Sequence, residues 1–160
     1  HEGEDVNVQT LMNSPEAYIY GSSFGIKSQL LSWLFYENSF TWQKGWDVSN
    51  NEPLGHIPPA FGKSLFKIKK GKMEYRLWGI YTNWKYIEDM NSSGVDNNDL
   101  GTEEGYPSWW TINSSFQYKI NDNIKLQLGI ENILDQHYRT FASGISAPGR
   151  NVIISLKTNF

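Results

Sequence analysis

No cysteine occurs in the 160 residues, so neither disulfides nor thiolate chemistry can operate within this chain. No run of 18 apolar residues occurs either, which excludes a transmembrane helix and leaves a membrane barrel open. Charge of one sign is scarce: a formal net charge of -3 gives no reason to expect nucleic acid or an anionic membrane surface as partner. His1 opens the sequence without Met, basic n-region or apolar h-region, and the chain reads as a mature product or a fragment. A Gly-x-Ser-x-Gly elbow, a phosphate-cradling glycine loop and a His-Glu-x-x-His pair are all missing, so no enzyme and no cofactor are expected. What is abundant is aromatic: 7 Trp, 9 Tyr and 8 Phe make up 15% of the residues. The mean hydropathy is nevertheless -0.53. Alternating barrel strands give that combination, because their wet faces cancel their greasy faces in any average.

The alternation is explicit at the end of the chain. Val152, Ile154, Leu156, Thr158 and Phe160 fall on one face, and Asn151, Ser155, Lys157 and Asn159 on the other, with Ile153 out of phase. A period of two is a β-strand with one apolar and one polar face. Trp110, Ile112, Phe116, Tyr118 and Ile120 oppose Thr111, Asn113, Ser115, Gln117 and Lys119 in the same way. After an Asn121-Asp122-Asn123 turn, Ile124, Leu126, Leu128 and Ile130 alternate with Lys125, Gln127, Gly129 and Glu131. Upstream, Leu34, Tyr36, Phe40 and Trp42 oppose Glu37, Ser39, Thr41 and Gln43, while Met73, Tyr75 and Leu77 oppose Glu74 and Arg76. From Trp78 to Tyr86 the phase blurs, which predicts a bulge or an extension beyond a bilayer.

Seven strands are therefore expected, over residues 17–27, 33–44, 63–70, 72–86, 109–120, 123–132 and 151–160. Their connections alternate in length. Those near Ser28-Gln29, Lys70-Gly71-Lys72 and Asn121-Asp122-Asn123 are short; those at 45–62, 87–108 and 133–150 are long and rich in Gly, Asn, Asp, Ser and Pro. Short turns on one side and long loops on the other form the outer-membrane barrel pattern, and about ten residues tilted near 45° span about 23 Å, close to a ~25 Å apolar band. The expected fold is all-β: an antiparallel up-and-down transmembrane β-barrel segment. Bacterial barrels of one chain have an even strand number, so seven strands imply part of something larger.

Four stretches carry a resemblance. Gly129-Ile130-Glu131-Asn132-Ile133-Leu134-Asp135-Gln136-His137-Tyr138-Arg139, followed by Ala147-Pro148-Gly149-Arg150-Asn151 and a last strand ending in Phe160, resembles the C-terminal signature of TonB-dependent outer-membrane receptors. Ile57-Pro58-Pro59-Ala60-Phe61-Gly62 and Glu16-Ala17-Tyr18-Ile19-Tyr20-Gly21 resemble segments of the same family, in the same order, although Phe61 stands where the family often has a basic residue. The resemblance implies a barrel of 22 strands, of which this chain is about the last third. It implies an N-terminal plug lying before these residues, and uptake of a scarce ligand (ferric siderophore, haem, cobalamin or oligosaccharide) with energy delivered through TonB. Partners would be outer-membrane lipid and the remainder of the barrel and plug, with the TonB complex reached only through that plug. Phe160 would be read by the assembly machinery. A passive porin-like channel and a soluble carbohydrate-binding β-sandwich are the alternatives.

The chemical constellations are weighed against simpler readings. His137, Tyr138 and Arg139 at the start of an external loop, with Tyr106 and Trp109, are candidates for contact with a ligand, although Tyr138 and Arg139 match a family position that suits a structural role. Trp42, Trp84, Trp110 and Phe160 at strand ends read as interfacial girdle residues. Glu37, Glu74, Arg76, Lys125, Glu131 and Lys157 are expected to face a lumen, where water keeps charges cheap. Glu88, Asp89, Asp96, Asp99, Glu103 and Glu104 offer hard oxygens for Ca²⁺, but their spacing fits no EF-hand loop and a solvated, mobile loop is the expectation. His1, His56 and His137 lack ligand spacing, so no metal site is expected.

Overall fold

The computed structural model describes residues 16–159. Ten strands form in chain order: β1 (Ala17–Leu31), β2 (Leu34–Asp47), β3 (Glu52–Pro53), β4 (Phe61–Lys70), β5 (Met73–Thr82), β6 (Lys85–Tyr86), β7 (Gly105–Tyr106), β8 (Trp109–Lys119), β9 (Ile124–Glu131) and β10 (Asn151–Thr158). The seven long strands make one antiparallel sheet in the order β1-β2-β4-β5-β8-β9-β10, with β3 pairing on β2 and β6 with β7 apart. Every long strand therefore lies beside its neighbour in sequence, the up-and-down order expected.

The short turns are chemically specified. Gly71 takes a left-handed φ of +57° between β4 and β5, a conformation that glycine adopts without a Cβ penalty. Asn121 Oδ1 accepts the amides of Asn123 and Ile124, both at 2.9 Å, and closes the turn between β8 and β9. The first turn lies at Ser32 and Trp33, not at Ser28-Gln29: β1 continues to Leu31, with a register irregularity between Gln29 and Leu31. Nor is there a bulge after Trp78. β4 and β5 pair without a shift from Lys70↔Met73 to Phe61↔Thr82, and the expected strand over 72–86 instead stops at Thr82 and resumes as β6.

Register sorts the side chains. Directly paired residues share a face, so Lys27, Glu37, Leu65, Trp78 and Asn113 stand on one side and Ile26, Asn38, Ser64, Gly79 and Ile112 on the other. Glu37, Glu74, Arg76, Lys125, Glu131 and Lys157 all fall on the first, polar face. Charges there pair laterally: Glu37 lies 3.9 Å from both Lys27 and Lys67, and Arg76 Nε donates to Glu74 at 2.7 Å. Apolar residues interrupt this face, among them Phe35, Leu65, Trp78, Ile80 and Ile153, and Lys63 Nζ sits 5.7 Å from the Trp78 ring centroid. Two polar pairs on the opposite face satisfy each other, Asn38 Nδ2 donating to Ser64 Oγ at 2.7 Å and Ser114 Oγ to Tyr75 Oη at 3.0 Å. An apolar solvent would require that pairing.

The sheet has no core of its own. Among the described residues the buried apolar side chains are Ile57, Ala60, Met90 and Tyr106, and all four belong to the long-loop end. The apolar face is bare, with Val152 67%, Ile154 73% and Leu156 63% exposed. A soluble sandwich would lay a second sheet over such a face; no second layer covers it among the described residues.

One glycine fixes how closely β4 approaches its neighbours. A Cβ on Gly62 would strike the Tyr81 hydroxyl and lie 2.6 Å from the Ser39 carbonyl oxygen, which is backbone and cannot swing away. Gly62→Ala is expected to destabilise the folded wall by about 1–3 kcal/mol. Urea unfolding in detergent micelles measures it.

Candidate functional site at the long-loop end

Three long connections leave the same end of the sheet and interlock. Asp96 lies at their centre, with its side chain fully buried. Its Oδ1 accepts the His56 amide at 2.7 Å and its Oδ2 the Asn91 amide at 3.3 Å, so one carboxylate joins the β2–β4 loop to the β5–β8 loop. Tyr106 Oη donates to the carbonyl of Asn97 at 2.9 Å, and burial pushes its phenol pKa up, keeping the donor protonated. Asn91 Nδ2 donates to the Pro53 carbonyl at 2.9 Å, and Ser92 hydrogen-bonds Glu52 through both amide and hydroxyl. Within the acidic stretch Asp96 is thus buried and structural, while Glu88, Asp99, Glu103 and Glu104 are exposed to solvent as the composition suggests. No group of three or more His, Cys, Asp or Glu converges on a metal position among the described residues.

The β9–β10 connection is tied in by an asparagine. Asn132 has a φ of +49°, a left-handed conformation that Asn tolerates better than most residues. Its Oδ1 accepts the Gln136 amide at 2.9 Å, its Nδ2 donates to the carbonyls of Gln136 (2.8 Å) and Pro148 (3.3 Å), and its own amide donates to Asn113 Oδ1 at 2.9 Å. Asp135 Oδ1 accepts the Arg150 amide at 2.7 Å, and Arg150 Nε donates to the Ile133 carbonyl at 2.9 Å. The loop is thus pinned at both ends before it reaches His137. Asn132→Ala would lose the side-chain bonds and strain the backbone; amide exchange of Gln136 is expected to accelerate by roughly tenfold or more, the equivalent of about 1.4 kcal/mol of local opening.

These ties bring the five ligand candidates together. Tyr106, Trp109, His137, Tyr138 and Arg139 line one cavity of about 330 Å³. Trp109 and Tyr138 pack ring against ring, centroids 4.1 Å apart and planes tilted by 35°, and Tyr106 meets Phe141 edge-on at 5.5 Å. Arg139 Nη1 donates to the Leu100 carbonyl at 2.6 Å, which anchors one arm of the guanidinium to the neighbouring loop. Trp109 Nε1 is buried without an acceptor. Register puts Trp109 on the polar face and its neighbour Trp110 on the apolar one. The cavity therefore combines a tilted aromatic pair with a guanidinium held by the neighbouring loop, a set suited to a ring-bearing ligand with acceptor groups.

The remaining aromatic candidates stand elsewhere. Trp42 is on the apolar face at the loop end, edge-on to Tyr20 at 5.7 Å. Trp84 lies between β5 and β6, stacked on Tyr86 at 5.8 Å, with Nε1 donating to the Glu104 carbonyl at 3.3 Å. Phe160 lies outside the described residues. Lys85 is a buried cation that the composition gave no hint of: burial lowers its pKa, opposed by the fields of Asp89 and Asp96, and its Nζ lies 5.4 Å from the Phe141 ring centroid. Asp96, Asn113, Asn132 and Gln136 carry the scaffold of the site, and of these only the Asn132–Gln136 stretch had a signal in the sequence.

The sequence pattern of the family described as TonB dependent receptor-like, beta-barrel matches residues 3–133. Among solved structures, the copper transporter OprC superposes with a TM-score of 0.80 at 17% identity, covering 90% of this chain and 23% of that one. The ferripyoverdine receptor of the outer membrane of Pseudomonas aeruginosa, bound to ferripyoverdine, gives 0.66 at 18% identity, covering 90% of this chain and 20% of that one. The structure of an FpvAI–pyocin S2 complex gives 0.66 at 16%, covering 90% and 19%. At those identities the superpositions speak for the fold, and the chain spans less than a quarter of the length of the structures that it matches. With the family pattern extending over most of its sequence, the chain belongs to the TonB-dependent receptor β-barrel family.

Proposed function

We propose that this chain is the C-terminal third of the wall, with its external loops, of a bacterial outer-membrane receptor that binds a scarce ligand and imports it with TonB-supplied energy. Ferric siderophore, haem, cobalamin and oligosaccharide are the ligand classes; transport, not catalysis, is the activity. The observation that carries the reading is the two-faced sheet: an uncovered apolar face for lipid, a charged face for a wet lumen, and family membership besides. The plug and the TonB-contacting segment belong to the part of the receptor that precedes this region. In this reading the loop cavity around Trp109 and Arg139 faces the ligand at the outer mouth. Trp42, Trp84, Trp110 and Phe160 ring the outer and inner interfaces of the bilayer.

The test uses cells that carry the full-length receptor and a panel of labelled ferric siderophores, haem, cobalamin and oligosaccharides. At least one is expected to accumulate, and accumulation is expected to stop when a protonophore collapses the proton gradient. The double variant Trp109→Ala/Arg139→Ala is expected to weaken surface binding of that ligand roughly tenfold or more, about 1.4 kcal/mol. Accumulation indifferent to the protonophore would identify a passive channel instead.

A further inference from the structure

At its long-loop end, β2 carries a charge where the alternation calls for a greasy residue. Lys44 lies on the apolar face, directly opposite Tyr20, with Trp42 and Trp46 two positions to either side and Tyr18 opposite Trp46. An amine in a lipid-facing row is costly unless it reaches the headgroup level, where aromatic rings also gather. Lys44 stands beyond Thr41, the last residue of β2 that pairs with β4.

A cavity of about 280 Å³ lies against this end of β2. Tyr18, Tyr20, Trp42 and Trp46 of the apolar face border it, so it belongs to the bilayer side of the wall, and Trp84, Lys85 and Asp89 line it from the β5–β8 connection. Its lining holds two ammoniums and one carboxylate. Lys44 Nζ donates to Asp89 Oδ1 at 3.1 Å, which pairs one of each. Lys85 is left over: only 7% of it is exposed, and it has no ion pair or hydrogen bond among the described residues. The Phe141 ring, 5.4 Å from its Nζ, is a weak substitute for an anion. Asp96, whose field also reaches it, is committed to the amides of His56 and Asn91. A buried cation without an acceptor is expensive.

We propose that this cavity binds the phosphorylated sugar headgroup of an outer-leaflet lipid, with Lys85 and Lys44 on its phosphate and the Tyr and Trp rings against its sugar. The proposal rests on the reading that the apolar face meets hydrocarbon. Position and charge select the occupant. The cavity is on the side of the wall that lipid covers, and its uncompensated ammonium asks for an anion with several acceptor oxygens. The rings around Lys44 offer flat apolar faces of the kind that sugar C–H groups cover.

The experiment titrates the full-length receptor, in detergent micelles, with a lipid built on a bisphosphorylated glucosamine disaccharide, with the same lipid after phosphatase treatment, and with inorganic phosphate. Bound molecules are counted by native mass spectrometry. The wild type is expected to hold one more phosphorylated lipid than Lys44→Met/Lys85→Met, and to bind that lipid about tenfold or more tighter than its dephosphorylated form. Lys157→Gln, on the polar face, should match the wild type, which separates this cavity from a general effect of charge. Equal binding of the two lipids by the wild type would overturn the proposal whether or not the double variant folds. So would equal lipid counts in wild type and folded double variant, or displacement of the lipid by millimolar inorganic phosphate, which would mark a site for a free anion. Failure of the underlying wall reading would look different, since water-soluble label would then reach positions 154 and 156.

Discussion

Ile154→Arg is expected to cost the refolded full-length receptor about 2–4 kcal/mol in lipid vesicles, whereas Lys157→Leu, three residues away, should cost little. Ile154 sits midway along β10, 73% exposed, in a row with Leu128, Phe116 and Tyr75 across four strands. In water, an arginine there would be harmless or helpful, because it would break an exposed apolar patch. In hydrocarbon it must be desolvated, or must drag water and headgroups inward, and the cost is greatest near the midplane. Lys157 faces the other way, and its replacement removes a charge from a crowded row. The pair of variants thus separates the two solvents by the sign of their effects, read from denaturant titrations of refolding into vesicles.

Asp96→Ala is expected to loosen the external loops without disturbing the sheet. The substitution leaves the amides of His56 and Asn91 without an acceptor, at about 1–3 kcal/mol each when buried. Asp96→Asn should cost roughly half as much, because the amide keeps one acceptor oxygen and turns the other position into a donor. Amide exchange over residues 83–108 and nicking by protease are expected to rise in the order wild type, Asn, Ala, while unfolding of the strands stays unchanged. Since the same loops form the cavity around Trp109, surface binding of the ligand should fall in the same order.

The faces of the sheet were legible because alternation is a local property: each strand announces its own two sides, and register merely aligns them. The first turn was not. Gly21, Ser22, Ser23 and Gly25 blur the pattern of β1, while Trp33, an apolar residue, occupies the turn itself. Trp78 and Ile80 imitated a bulge because they are apolar on the wet face; what accommodates Trp78 is a lysine from the neighbouring strand, which no local pattern displays. The loop site was legible in part. His137, Tyr138 and Arg139 stood out through the motif around them, and Trp109 and Tyr106 through their chemistry. Asp96 did not, since one acid among Glu88, Asp89, Asp99, Glu103 and Glu104 becomes structural only through the His56 amide, forty positions upstream.

The central claim is that hydrocarbon wets one surface of this wall and water the other. Because the chain contains no cysteine, single cysteines placed at positions 151 to 158 give unique labels within it. Spin labels at each position of the full-length receptor in vesicles, read for accessibility to dissolved oxygen against a water-soluble nickel chelate, measure the solvent directly. Oxygen is expected to dominate at 152, 154 and 156, and any access by the chelate to fall at 153, 155 and 157. Accessibility that does not alternate, or chelate access at position 154, would contradict the account.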